Sequence, residues 1–168
     1  MTNISESIIP SEKEKELIYK FYLAIFDSGF NLPKKRVLMT ALMGHEKWCW
    51  RVVGVTRSAI IEIAKNDFKP IKGLQRDHHK QSQATTYNSL FNNRHTFDDW
   101  WNVVWENDQT ILMTKEEHNT HHLLNKSNVY DVDDKLGLFR NAIVGMSFTK
   151  KNEGAYIESL IRTHNIQI

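Results

Sequence analysis

The sequence predicts an α+β fold that is predominantly helical. Three observations carry this. Segments with helical apolar spacing, several of them capped, occur near both ends of the chain and in its middle. Two short strand-like runs, Leu74–Asp77 and Thr110–Met113, interrupt them. Each run leads into a histidine-bearing block, and five of the eight histidines lie in those two blocks (His78, His79, His118, His121 and His122). A length of 168 residues suits one core, or a core with a small helical module. The segments read as a helical N-terminal region over 1–72, a histidine-bearing core over 73–125 and a C-terminal extension over 126–168, packed as one compact unit.

Residues 1–10 are polar and end in Pro10, which reads as a loose tail. Ser11 and Glu14 form a capping box, each side chain meeting the other residue's free backbone N–H. Leu17, Phe21 and Ile25, with Ile18 and Tyr22 beside them, then predict one apolar helical stripe that stops at Gly29. Pro33 opens a second helix through Lys34-Lys35-Arg36 that breaks at Gly44. Lys47–Val53 reads as a third helix, and Thr56 caps a fourth with Ile60, Ile63 and Ala64 in register. Helix, glycine turn and a helix opening Thr-Arg-Ser are the order of a helix-turn-helix, whose second helix reaches base edges. A plain packed hairpin fits the same residues.

Lys80–Arg94 is Asn/Gln/Ser-rich and reads mostly as loop, with a helical turn near Tyr87–Phe91. Thr96 caps a helix in which Asp98 and Asp99 favour the positive end and Phe97, Trp100, Trp101, Val104 and Trp105 form an apolar face. Glu106–Gln109 reads as a turn. Thr114 and Glu117 form a second capping box, which starts the helix carrying His118. Asn125–Lys135 reads as loop, and Leu136–Phe148 has no clear period. Ala155–Thr163 predicts a final helix with Ile157, Leu160 and Ile161 inward.

Apolar residues at 40% and charged residues at 25% place the chain among folded globular proteins. No run approaches the ~20 apolar residues of a membrane span, and no basic-then-apolar leader opens the chain. An intracellular, cytoplasmic setting is expected. Cys49 is the single cysteine, so no internal disulfide or cysteine-based zinc site forms within one chain. The net charge of +2 hides an asymmetry, because Phe30–Lys80 holds eleven Lys/Arg against four Asp/Glu. Such a segment suits a polyanion, or is a solvated helical surface.

The chemistry lies in the two histidine blocks. On a helix starting at Thr114, His118 and His122 share one face about 5–6 Å apart, so two imidazoles could grip one ion, or an ion and a phosphate. His121 points elsewhere on that helix. Asp77, His78 and His79 stand at the end of the first strand-like run. A cluster of His and Asp in this order is a candidate metal or acid–base site. Unrelated surface histidines, or a structural zinc site, are the other readings of the same residues.

Arg76-Asp77-His78, followed by Ile111-Leu112-Met113-Thr114-Lys115-Glu116-Glu117-His118 and His122, resembles the HNH family of ββα-metal nucleases. The opening is similar to phage- or restriction-type members and the close to colicin-type DNases. The resemblance spans Leu74 to His122, 49 of the 168 residues. It implies a β-hairpin packed on a helix with one divalent cation between them. It further implies His78 as general base, Asp77 and His118 as metal ligands, and His122 as a further ligand or phosphate contact. In the colicin-type register the base is His79 and His78 is a ligand. The central family residue falls on Asn107 in the phage-type pattern, or on Asp108 or Gln109 in the colicin-type spacing.

The expected cofactor is one divalent metal ion, Mg²⁺ ahead of Mn²⁺ or Zn²⁺, since a carboxylate suits a hard cation. The expected activity is site-specific cleavage of double-stranded DNA, with Lys34, Lys35, Arg36, Arg51, Arg57 and Arg76 on phosphates or bases. A palindromic target would imply a homodimer. The competing reading is a helix-turn-helix DNA-binding regulator with structural or zinc-bound histidines. RNA is a third substrate class.

Overall fold

The computed structural model describes residues 9–44, 48–69, 71, 73–120, 128–139 and 150–168. It is α+β, with helices α1 (Glu12–Asp27), α2 (Leu32–Met43), α3 (Arg57–Lys65), α4 (Gln83–Asn92), α5 (Phe97–Asn107), α6 (Lys115–Asn119) and α7 (Ala155–His164). Strands β1 (Arg51–Thr56), β2 (Leu74–His78), β3 (Gln109–Thr114) and β4 (Val129–Asp131) form one sheet in the order β2-β3-β1-β4. Among the described residues, no helix is long and apolar enough to cross a membrane.

The chain forms two compact units, neither continuous in sequence. One is Met1–Trp50 with His78–Gln109, and the other is Arg51–Asp77 with Thr110–Ile168.

The first unit is helical, built from α1, α2, α4 and α5. Ser11 accepts from Glu14 N–H, and Glu14 Oε2 accepts from Ser11 N–H at 2.7 Å, so the expected capping box closes α1. The buried side of α1 is Lys15, Ile18 and Tyr22, whereas Leu17 and Phe21 are about half exposed. The expected stripe is thus rotated by one residue. Ile18, Tyr22, Met39, Met43, Trp48, Tyr87, Leu90, Trp100 and Val104 make one buried cluster. Residues 83–92, expected to be mostly loop, form the ten-residue α4, capped by Ser82 on Thr85 N–H. Its Thr86, Tyr87 and Leu90 are buried, so packing overrides the weak helix propensity of the polar residues around them.

The second unit holds most of the sheet, α3, α6 and α7. Arg51–Thr56 is a strand where the sequence suggested the end of a helix over Lys47–Val53 and a glycine turn, so the expected helix-turn-helix is not formed there. β1 lies inside the sheet and is buried along most of its length. Such a strand reads as a continuous apolar run rather than an alternating one. β1 pairs antiparallel with β4 in the register Gly54↔Asp131, Val55↔Tyr130 and Thr56↔Val129. β4 falls inside the stretch expected to be loop. His79 N–H donates to Gln109 C=O beyond one end of β2, and Lys115 N–H to Gly73 C=O beyond the other, so β2 and β3 are antiparallel. Val52, Val55, Ile60, Ile63, Leu112, Phe139 and Ile157 centre the core of this unit.

Gly54 allows the close approach of β4. A Cβ there would meet Val129 Cγ1 at 2.8 Å and Ile111 Cγ1 at 3.5 Å. Gly54→Ala is therefore expected to destabilise by about 1–3 kcal/mol through overpacking. A urea unfolding midpoint unchanged from wild type would refute this.

Candidate active site

Strand β2 delivers two consecutive side chains to two different sets of partners, one in each unit. Asp77 belongs to the sheet unit and meets His118 there. Asp77 Oδ1 and His118 Nε2 are 3.8 Å apart, with the two side chains 25% and 40% exposed. His118 is placed by the cap of α6. Glu117 Oε2 accepts from Thr114 N–H at 3.0 Å and from Thr56 Oγ1 at 2.7 Å, while Thr114 Oγ1 accepts from Glu117 N–H. Glu117 is thereby committed to holding the start of α6 and the end of β1.

The separation of 3.8 Å exceeds a hydrogen bond. Two donors on one divalent ion, each bonded at about 2.0–2.2 Å, stand no farther apart than about 4.4 Å. A carboxylate and an imidazole at this spacing fit a divalent cation. Among the described residues no third His, Cys, Asp or Glu joins them to complete a metal-holding group. His121 and His122 lie outside the described residues.

His78 ends β2 and belongs to the helical unit. Its side chain is 8% exposed, and Nε2 lies 3.9 Å from Asp108 Oδ1, itself on a side chain 11% exposed. Asp108 caps the C-terminus of α5. Its other oxygen accepts the backbone N–H of Trp50 at 2.5 Å. Trp50 sits at φ 58°, in the left-handed region, which costs about 1–2 kcal/mol for a residue with a bulky side chain. The Trp50 ring stands edge-on to the His78 imidazole, 4.7 Å between centroids at 67°. One carboxylate thus fixes a strained tryptophan and faces a buried histidine. Charge on the imidazole would turn the His78–Asp108 approach into an ion pair.

Around His78 a small pocket is lined by Met43, Gln83, Thr86, Tyr87, Val104, Asn107 and Asp108. Burial pushes the Tyr87 phenol well above its ordinary range, with the nearby Asp108 and Cys49 adding to the effect. Tyr87 therefore stays neutral, and its oxygen accepts from Gln83 Nε2 at 3.3 Å.

The other expected site residues are distributed as follows. Asn107 lines the His78 pocket, but its Nδ2 donates to Val103 C=O at 2.8 Å within its own helix. Of the three residues that could be central, Asp108 is the one that faces His78. His79 lies just past β2 with its side chain exposed. Arg51 is 2% exposed and its Nε bonds Asp134 Oδ2 at 3.1 Å, so it holds the sheet unit together rather than meeting DNA.

Lys35 is also structural, since Nζ donates to Phe26 C=O at 2.5 Å and caps the end of α1. Lys34 lies over the Phe30 ring at 3.9 Å, near the start of α2. Arg36 is half-buried on α2, Arg76 half-buried on β2, and Arg57 exposed as the first residue of α3. No motif in the sequence marks Trp50. Its left-handed backbone and its acceptor 58 residues away have no local signature.

No protein-family model, curated protein or solved structure matches this chain.

Proposed function

We propose that the chain is a metal-dependent DNA endonuclease of the HNH type. The observation that carries the reading is the pairing of Asp77 with His118 at 3.8 Å, two groups 41 residues apart that the motif names as ligands. The residue directly after Asp77 is His78, the expected base, and it faces a carboxylate.

In this reading Asp77 and His118 would hold the cation. When bound, the metal neutralises charge developing on the phosphate and on the leaving 3′-oxygen. His78 would take a proton from the attacking water at Nδ1, the ring nitrogen that does not face Asp108, as the water oxygen bonds to phosphorus and the P–O3′ bond breaks. Asp108 stabilises the imidazolium so formed, much as a buried carboxylate supports a catalytic histidine elsewhere. The Trp50 ring packs edge-on against the imidazole. Lys34, Arg36 and Arg57 remain available for phosphate contacts, which position a duplex without reading its sequence. Double-stranded DNA cut at a defined site, as by a restriction or phage enzyme, is the substrate proposed. The regulator reading loses its main support, because Arg51–Thr56 is a strand.

Supercoiled plasmid, linear duplex DNA and duplex RNA, each incubated with Mg²⁺, Mn²⁺ or Zn²⁺, test the proposal. Metal-dependent nicking or linearisation by wild type is expected, with loss in Asp77→Ala and in His118→Ala. Wild-type protein that leaves all three substrates intact in every metal overturns the reading. Cleavage of RNA alone would replace the substrate.

A further inference from the structure

We propose that Thr56 is a positioning residue of the candidate metal site, setting the place of His118 through the carboxylate of Glu117. This inference rests on the ligand assignment made above. His118 stands on α6, a helix of five residues with no buried residue. One turn of helix has too few internal hydrogen bonds to hold itself in water, and α6 has no apolar face in the core to dock it. Its place is therefore set by polar contacts. At its start Lys115 N–H donates to Gly73 C=O at 3.0 Å, and at its end Thr120 Oγ1 donates to Glu116 C=O at 3.0 Å.

Three further bonds converge on one atom. Glu117 Oε2 accepts from Thr114 N–H at 3.0 Å, from Thr114 Oγ1 at 3.2 Å and from Thr56 Oγ1 at 2.7 Å. The two from Thr114 are local to the capping box. The shortest comes from a residue 61 positions away. Thr56 is fully buried at the end of β1, a strand flanked by β3 and β4. Its hydroxyl oxygen also accepts Ala59 N–H at 3.2 Å, capping α3, which buries Ala59, Ile60 and Ile63. The hydroxyl is thus fixed by the core, and its proton goes to Glu117. Hydrogen bonds to a carboxylate are among the stronger ones, so this one ties an undocked turn to the sheet. Glu117 acts through its neighbour, because among the described residues it does not join Asp77 and His118 in a metal-holding group. Donors serve a metal site only when held to within about 0.5 Å, and the Thr56–Glu117 bond supplies that restraint for His118.

The test is Mn²⁺ affinity of the full chain, read from the EPR signal of the free ion with no nucleic acid present. Thr56→Val keeps the shape of the side chain and removes the hydroxyl. It is expected to raise the Mn²⁺ Kd about tenfold, as loss of an outer partner does in metal sites. Thr56→Ser restores the hydroxyl and should bind close to wild type. The valine variant also loses a helix cap, so Thr96→Ala, which removes the cap of α5, controls for lost stability and should leave the Kd unchanged. Thermal melts check that each variant is folded. Glu117 is only half-buried, so Glu117→Ala gives a second variant should valine at 56 prevent folding. It should weaken binding at least as much, and Glu117→Gln, which keeps an acceptor oxygen without the charge, should weaken it less. A wild-type Kd in Thr56→Val overturns the proposal. So does a loss in Thr96→Ala equal to that in Thr56→Val, or a glutamine variant as weak as the alanine one. Wild type that binds no Mn²⁺ removes the ligand assignment itself and this proposal with it.

Discussion

If the chain is the proposed nuclease, His78→Ala is expected to lower DNA cleavage by about 10²–10⁴-fold, the usual contribution of a positioned general base, and to leave DNA affinity near wild type. Single-turnover cleavage and a parallel binding titration measure the two effects. His79→Ala, at the exposed neighbouring position, should retain most activity. The reverse outcome would move the base by one residue. Asp108 has two jobs that substitution can separate. Asp108→Asn keeps an acceptor for the Trp50 N–H but removes the charge facing His78, so it should slow cleavage with little loss of stability. Asp108→Ala also releases the left-handed Trp50 backbone, and about 1–3 kcal/mol of stability is expected to go with that buried hydrogen bond.

Trp100→Ala has the largest expected effect on stability, about 3–5 kcal/mol. Trp100 is fully buried, with Tyr19, Tyr22, Phe97 and Trp101 ring centroids 5.5, 5.9, 6.3 and 6.1 Å away. Deleting the indole opens a cavity between α1 and α5 that neighbouring rings cannot collapse into freely. Its Nε1 is buried without a hydrogen-bond partner among the described residues. Trp100→Phe removes that unmet donor and keeps an aromatic ring, so it should cost much less than alanine. Chemical denaturation of both variants gives the comparison. A phenylalanine variant as unstable as the alanine one would mean that the indole N–H is satisfied in solution.

Local chemistry in the sequence located the elements whose ends carry a signature. The boxes at Ser11/Glu14 and Thr114/Glu117 and the caps at Thr56 and Thr96 all form as expected, because each needs only residues three apart. Strand β1 was not legible, since burial on both faces removes the alternation that marks a strand. Helix α4 was hidden for a different reason: its stability comes from Tyr87 and Leu90 packing in the core, not from its polar residues. In the candidate site, the order of the motif pointed to Asp77 and His118, and the two side chains stand 3.8 Å apart. The roles of Asp108 and Arg51 were not visible. The first depends on where a helix ends, and the second on an acid 83 residues away.

The chain passes between its two units three times, at Trp50–Arg51, Asp77–His78 and Gln109–Thr110. This interleaving governs synthesis and dissection. During translation the helical unit cannot close until residue 109 has emerged, because α4 and α5 supply half of its wall. The sheet unit must wait for α7. A fragment trimmed to the histidine-bearing stretch would keep α5 but lose α1 and α2, which cover Trp100 and its neighbours. The histidine-bearing stretch alone therefore completes neither unit.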